Sequence, residues 1–129
     1  MIKELTIDRA TWKNGRHGKG FSGLLNASNN RCCLGFLSQA CGITDDVMRS
    51  FAKPSSLPLA SKKLLPKKLF EDNLSNEDNL SNEDAFIYIN DDSPCDDGSR
   101  ELKIILEFKD ILDINITFIG SYPTHKNIL

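Results

Sequence analysis

Residues 31–41 read RCCLGFLSQAC, and this stretch decides the fold that we expect for the chain. Its apolar residues recur at helical spacing, which predicts a helix with one buried stripe made of Cys33, Phe36, Leu37, Ala40 and Cys41. Asn29 or Asn30 is the expected N-cap, and Gly42 follows as a typical C′ residue. Because glycine inside a helix costs about 1 kcal/mol relative to alanine, Gly35 predicts that a neighbouring element approaches the helix closely there.

The segments on either side of this helix indicate a small domain of mixed structure. Residues 99–109 predict a second main helix, with a buried side formed by Leu102, Ile105, Leu106 and Phe108. Three short apolar segments predict strands: residues 3–7 (KELTI), 21–26 (FSGLLN) and 114–119 (INITFI). We therefore expect a single α+β domain over residues 1–129, with a short mixed or antiparallel sheet and the two main helices on one face.

An irregular segment at residues 52–84 interrupts this pattern, and we expect it to be an exposed insertion. It contains three prolines, and we expect its leucines to hold it against the surface of the domain. The segment ends in an exact duplication, EDNLSN at residues 71–76 and again at 77–82. Such a repeat indicates a position that tolerates additional residues. Ser81 and Asp84 have the spacing of a capping box, with Asp in the place of the usual Glu.

The net charge of −2 hides a strong polarity along the chain. Residues 1–70 carry 12 bases and four acids, a net of +8, whereas residues 71–101 carry 11 acids and one base, a net of −10. The basic half suggests a phosphate-bearing ligand, a nucleic acid or an acidic partner, and the alternative is that the two halves neutralise each other in the fold. With no apolar run or secretion signal, we expect a cytoplasmic protein without a membrane partner. The oligomeric state stays open.

A loop at residues 13–23, KNGRHGKGFSG, combines glycines with basic side chains. Glycine amides together with basic side chains can hold an anion, although the loop lacks the spacing of a Walker A motif. A solvated hairpin loop is the competing interpretation. The sequence-based candidates for an anionic ligand are the residues of this loop and the bases and tryptophan around it: Arg9, Trp12, Lys13, Arg16, Lys19 and Arg31.

Four cysteines, Cys32, Cys33, Cys41 and Cys95, have no metal-ligand spacing, so we expect neither a metal nor another cofactor. Cys33 stands at a helix N-terminus, where the helix dipole favours a thiolate, which makes it the candidate catalytic nucleophile. Only His17 and His125 could serve as its base, and no feature of the sequence brings them to Cys33. The competing interpretation is a buried cysteine that packs in the core.

Asn90, Asp91 and Asp92 form an acidic group that we take as a candidate partner-binding surface. Two other interpretations stay open. The side chains can cap a turn and orient a helix, or they can join Asp96 and Asp97 as ligands of a hard cation. The EF-hand spacing is absent, because the alternating ligand positions before Gly98 would fall on Ser93 and Cys95.

The blocks IDR-x-x-W at residues 7–12, LLN at 24–26, CCLGFL at 32–37 and INDD at 89–92 resemble, in this order, small proteins encoded in phages and prophages. The resemblance implies an origin and no particular reaction. Together with the missing catalytic constellation, it leads us to expect an accessory protein that binds a host protein or a small anionic ligand, as an inhibitor of host defence would. The alternatives are a cysteine-dependent hydrolase or transferase that uses Cys33, and a nucleic-acid-binding module that uses the basic half.

Overall fold

The computed structural model describes residues 2–14, 23–73, 80–92 and 95–123, with only the backbone of Asp92. Strand β1 (Glu4–Asp8) and strand β2 (Asn115–Ile119) pair along their whole length, from Glu4 opposite Asn115 to Asp8 opposite Ile119. The helices lie between the two strands in the chain. The α+β class and both terminal strands are thus confirmed.

The expected mixed or antiparallel sheet is wrong, because β1 and β2 run parallel. Parallel strands need a long crossover connection, and here the whole helical part of the chain supplies it. The expected strand at residues 21–26 is also wrong where it can be judged, since residues 23–26 form bends and loop. A turn follows this loop, and the Asn26 side chain holds it by accepting hydrogen bonds from the backbone N–H groups of Ser28 and Asn30 at 2.9 and 3.0 Å.

Helix α1 (Cys33–Ala40) lies at the centre of the fold. Its buried surface is wider than the predicted stripe, because β1, helix α2 (Asp45–Ser50) and helix α4 (Asn82–Ile87) all contact it. Ala40 is exposed and Cys41 is half-buried, whereas Leu34 and Ser38 are buried without having been predicted so. The Ser38 hydroxyl donates to the Leu34 carbonyl at 2.7 Å, which satisfies this polar group inside the core.

Gly35 is the position where a neighbouring segment approaches α1 closely, as the sequence predicts. A Cβ atom at this position would lie 2.0 Å from the carbonyl oxygen of Leu24. Only glycine leaves room for this carbonyl, and the contact seats Leu24 and Leu25 in the core. The segment before α1 thus lies directly against the helix at Gly35, and a single parallel bridge between Arg31 and Trp12 pairs its end with the chain after β1.

Helix α2 (Asp45–Ser50) follows with Thr44 as its N-cap, after Gly42 at a φ of +96°. Three short helices occupy the next part of the chain: the 3₁₀ turn Pro54–Ser56, helix α3 (Leu59–Lys62) and the 3₁₀ turn Lys67–Phe70. The first begins at Pro54 and the other two begin directly after Pro58 and Pro66, and the fixed φ of proline suits a helix start. Within this segment Leu57, Leu65 and Leu69 are buried in the core.

The duplicated hexapeptide is closed by an antiparallel bridge between Asp72 and Ser81. Two backbone hydrogen bonds flank it, from Asn73 N to Leu80 O at 2.7 Å and from Asn82 N to Glu71 O at 2.8 Å. The first half of copy one therefore pairs with the second half of copy two. Helix α4 (Asn82–Ile87) begins directly after Ser81, and the capping box with Asp84 is confirmed.

A short π-helix at Tyr88–Asp92 extends α4, and another at Phe108–Leu112 extends helix α5 (Asp97–Glu107). The predicted second main helix is confirmed, and its predicted buried face is right for Phe108, in part for Ile105, and wrong for the two leucines. Arg100, Ile104 and Phe108 are buried at i, i+4 and i+8, while Leu102 and Leu106 are 55% and 58% exposed. Two residues advance a helix by about 200°, so burying Arg100 turns both leucines to the outside. No helix in the described ranges is long and apolar enough to cross a bilayer.

Candidate functional site

Three distant parts of the sequence, around Trp12, Cys33 and Asn90, meet in one buried polar network. At its centre lies Asn90, which is 1% exposed. Its Oδ1 accepts from the Trp12 indole N–H at 2.8 Å and from the Cys33 backbone N–H at 3.0 Å. Its amide group donates to the Lys13 carbonyl at 3.0 Å and to Asp91 Oδ1 at 2.7 Å.

Asn90 therefore acts as the cap of α1 from 57 positions away in the chain. The expected cap by Asn29 or Asn30 is wrong, because the N-cap residue is Cys32 and its side chain makes no capping hydrogen bond. A backbone N–H without a partner at a buried helix start would be costly, and the side-chain oxygen of Asn90 accepts its hydrogen bond. This is the capping role that the sequence left open for Asn90, applied to a different helix.

Arg100 of α5 joins the same network, and the neighbouring Glu101 contacts side chains that follow the two strands in the chain. Arg100 donates to the carbonyls of Ile89 at 2.6 Å and Asn90 at 3.3 Å. Glu101 forms a two-point ion pair with Arg9, both N···O distances being 2.8 Å, and accepts from the Tyr122 hydroxyl at 2.5 Å. The Arg9 hydrogen bonds hold the pKa of Glu101 below its usual value, whereas burial raises the pKa of Tyr122.

The structure distributes the predicted ligand-binding residues instead of gathering them around one cavity. Arg9 is engaged by Glu101, Trp12 is buried, and Arg31 forms an ion pair with Asp45 at 2.7 Å. Lys13 is half-buried and joins the Arg31 backbone, its N–H donating to the Arg31 carbonyl at 2.8 Å. Arg16 and Lys19 lie outside the described residues.

Cys33 lacks the environment of a cysteine nucleophile. Its side chain is fully buried, and its Sγ lies 4.0 Å from the Phe86 carbonyl oxygen. Burial raises the pKa of the Cys33 thiol well above its ordinary value, opposite to the lowering expected from the helix dipole. Burial also raises the pKa of neighbouring Cys32, to about 12. His17 and His125, the candidate bases, lie outside the described residues.

The proposed acidic surface at 90–92 is largely internal. The side chains of Asn90 and Asp91 are both buried, and that of Asp92 lies outside the described part of the chain. Within that part, no group of three or more His, Cys, Asp or Glu side chains is placed to hold a metal ion. Partner binding through these residues stays a prediction, with two of its three side chains turned inward.

A different feature is an open cavity of about 790 Å³ beside the short helices of residues 53–70 and the start of α4. We call it the lysine groove. Leu59, Leu65 and Phe70 give it an apolar wall, and the whole lining consists of Lys53, Ser55, Leu59, Lys62, Lys63, Leu65, Lys67, Phe70, Ser81, Glu83 and Asp84. The volume lies within the range of about 300–1,000 Å³ that is typical of small-molecule sites.

The charge of the lysine groove is positive, since four lysines face two acids. Within the described part of the chain none of the four lysines forms an ion pair. Asp84 is occupied by the capping box, where it accepts from the Ser81 hydroxyl at 3.0 Å. The Lys62 ammonium donates to the Ser55 carbonyl at 3.5 Å, and none of the four ammonium groups is neutralised by a carboxylate of the described residues, so their positive potential would attract an anion.

Prolines and leucines of the insertion build the groove. Pro58 and Pro66 start α3 and the 3₁₀ turn after it, and buried Leu57 and Leu69 fix these helices to the core. The sequence-based site missed the groove lysines: they entered only as part of the basic half. The available signal was the run KKLLPKK at residues 62–68, where paired lysines alternate with leucines and a proline.

Comparisons with known proteins add no assignment to this geometry. No family model matches the chain, and no curated protein and no solved structure is significantly similar to it.

Proposed function

We propose that the protein is a phage- or prophage-encoded accessory protein that acts by binding a small anionic ligand in the lysine groove. One observation carries the proposal: four lysines without ion-pair partners among the described residues surround a cavity of about 790 Å³ that has an apolar wall. Phosphate and carboxylate groups are the natural counter-charges for such a cluster.

The dimensions of the groove favour a small ligand over a long polymer. A nucleic-acid interface needs bases spread along a surface, so that many phosphates are neutralised together. Here the lysines come from one segment, residues 53–67, and converge on one cavity. The other basic side chains of the described N-terminal half include Arg9 and Arg31, which are already held by Glu101 and Asp45.

The state of Cys33 supports binding rather than cysteine catalysis. A nucleophilic cysteine needs a thiolate that the substrate can reach, and Cys33 is buried with a raised pKa. The phage origin and an action in the host cytoplasm, where removal of a signalling ligand would blunt a defence system, are part of the same proposal. They are supported by the resemblance of the sequence blocks.

Calorimetric titration of the protein with sodium tripolyphosphate tests the proposal. We expect the protein to bind tripolyphosphate with an affinity that falls as the salt concentration rises. The K67Q substitution should lower this affinity several-fold, because it removes one positive charge from the groove. K68Q is the matched control: Lys68 is the adjacent exposed residue of the same 3₁₀ turn and does not line the groove. Absence of binding, or equal losses in the two variants, would reject the lysine groove as the site.

A further inference from the structure

Glu83 is a buried carboxylate in the wall of the lysine groove. It is 3% exposed, and its Oε2 accepts from the Ser55 backbone N–H at 2.5 Å. The described residues supply no other hydrogen bond and no ion pair to this carboxylate. A buried charge normally has a cationic partner or a full set of donors, because leaving water is costly for it.

This placement has a chemical consequence for what the groove can accept. A carboxylate accepts hydrogen bonds and repels anions, so Glu83 opposes the binding of a bare polyphosphate that the lysines attract. A ligand suits both groups only when it carries N–H or O–H donors at one end and anionic groups at the other. The apolar wall of Leu59, Leu65 and Phe70 adds a surface on which a flat ring can pack.

We infer that the ligand of the lysine groove is a nucleotide whose base presents N–H donors to the Glu83 carboxylate while its phosphates contact the lysines. Guanine fits this role best, because its neighbouring ring N–H and exocyclic amine match the two oxygens of one carboxylate. Glu83 then determines specificity, and the lysines supply charge attraction. The inference rests on the proposed function, since it names the ligand class of the same site.

The test compares GTP, ITP and tripolyphosphate by calorimetry. ITP keeps the ring N–H and lacks the exocyclic amine, so the wild-type protein should bind GTP more tightly than ITP, and ITP more tightly than tripolyphosphate. E83Q retains an oxygen for the Ser55 N–H but turns an amide donor or a neutral group toward the ligand. We expect E83Q to lower the affinity for GTP about tenfold or more, and to leave the affinity for tripolyphosphate unchanged or higher.

Opposite responses of the two ligands to E83Q support the inference, because a merely structural role of Glu83 would weaken both. If the wild-type protein binds all three ligands with equal affinity and K67Q lowers that affinity, the inference is overturned and the proposed function stands. Absence of binding by all three overturns both. If circular dichroism shows that E83Q does not fold, the comparison of GTP with ITP on the wild-type protein decides: equal affinities overturn the inference.

Discussion

Replacing Asn90 with alanine tests the internal network most severely. The Asn90 Oδ1 is the acceptor for two buried N–H groups, the indole of Trp12 and the first backbone amide of α1 at Cys33. Each buried donor left without a partner costs about 1–3 kcal/mol, and the lost cap alone is worth about 1 kcal/mol. We expect N90A to lower the free energy of unfolding by about 3–5 kcal/mol, a large part of the total stability of about 5–15 kcal/mol.

Urea unfolding followed by circular dichroism and by the fluorescence of the single tryptophan measures this loss. The matched control is N30A, because Asn30 has the sequence position of a cap and its side chain makes none of the hydrogen bonds that hold α1. We expect N30A to change the stability by less than about 0.5 kcal/mol. A loss below about 1 kcal/mol in N90A, or equal losses in both variants, would refute the network as the origin of capping.

Three further perturbations test other parts of the fold. G35A should destabilise the protein by about 1–3 kcal/mol in urea titrations. G98A in α5 should be neutral or stabilising, because the added Cβ would meet only Asp96 Oδ1, at an ordinary contact distance of 3.7 Å. Similar effects of both substitutions would contradict the close approach at Gly35. Because Arg9 lowers the pKa of Glu101, the stabilisation from this pair is present above about pH 4.5 and is lost as the pH falls through the folded-state pKa. E101Q should therefore flatten the acid side of a plot of unfolding free energy against pH. An unchanged slope would contradict this stabilisation. Deletion of residues 74–79 removes one hexapeptide and makes Asn73 and Leu80 direct neighbours, so the hydrogen bond between them is lost, and the free energy of unfolding should fall by about 1 kcal/mol in urea titrations; an unchanged stability would contradict a stabilising role of this hydrogen bond.

Local signals in the sequence predicted several features because their causes lie within a few residues. Strand β2 follows from β-branched alternation, α1 from its apolar spacing, and the capping box at Ser81 from a three-residue pattern. Gly35 predicted a close neighbour because a glycine inside a helix needs a compensating contact. The sequence did not reveal that this neighbour is the backbone carbonyl of Leu24, in a segment that forms no strand.

The features that were missed depend on contacts between distant parts of the chain. Asn90 caps a helix that begins 57 positions before it in the chain. The local sequence at Asn29 and Asn30 could not show that the capping group comes from so far away. On α5 the burial of Phe108 was predicted, but the burial of Arg100 against carbonyls of the α4 extension leaves Leu102 and Leu106 on the outside. Hydrophobic spacing alone assigns no buried face to an arginine that donates several internal hydrogen bonds.

The candidate site was missed for a similar reason. The sequence drew attention to the glycine-rich loop, where bases are close together in the chain, and to Arg9 and Arg31, which the fold uses in ion pairs. The lysines of the groove stand on separate short helices and converge only because the insertion folds around buried leucines. Net charge over residues 1–70 indicated an anionic ligand, but not which bases are free to bind it.

Chemical-shift mapping of the ¹⁵N-labelled protein during titration with GTP tests the binding site most directly. The account predicts saturable shifts at the amides of Ser55, Lys62 and Lys67, with the Ser55 amide strongly affected because its hydrogen bond ends on Glu83. Amides at the exposed leucines of α5, Leu102 and Leu106, should not move. Shifts concentrated around residues 13–23, or no saturable shifts at all, would contradict the lysine groove as the site of this protein.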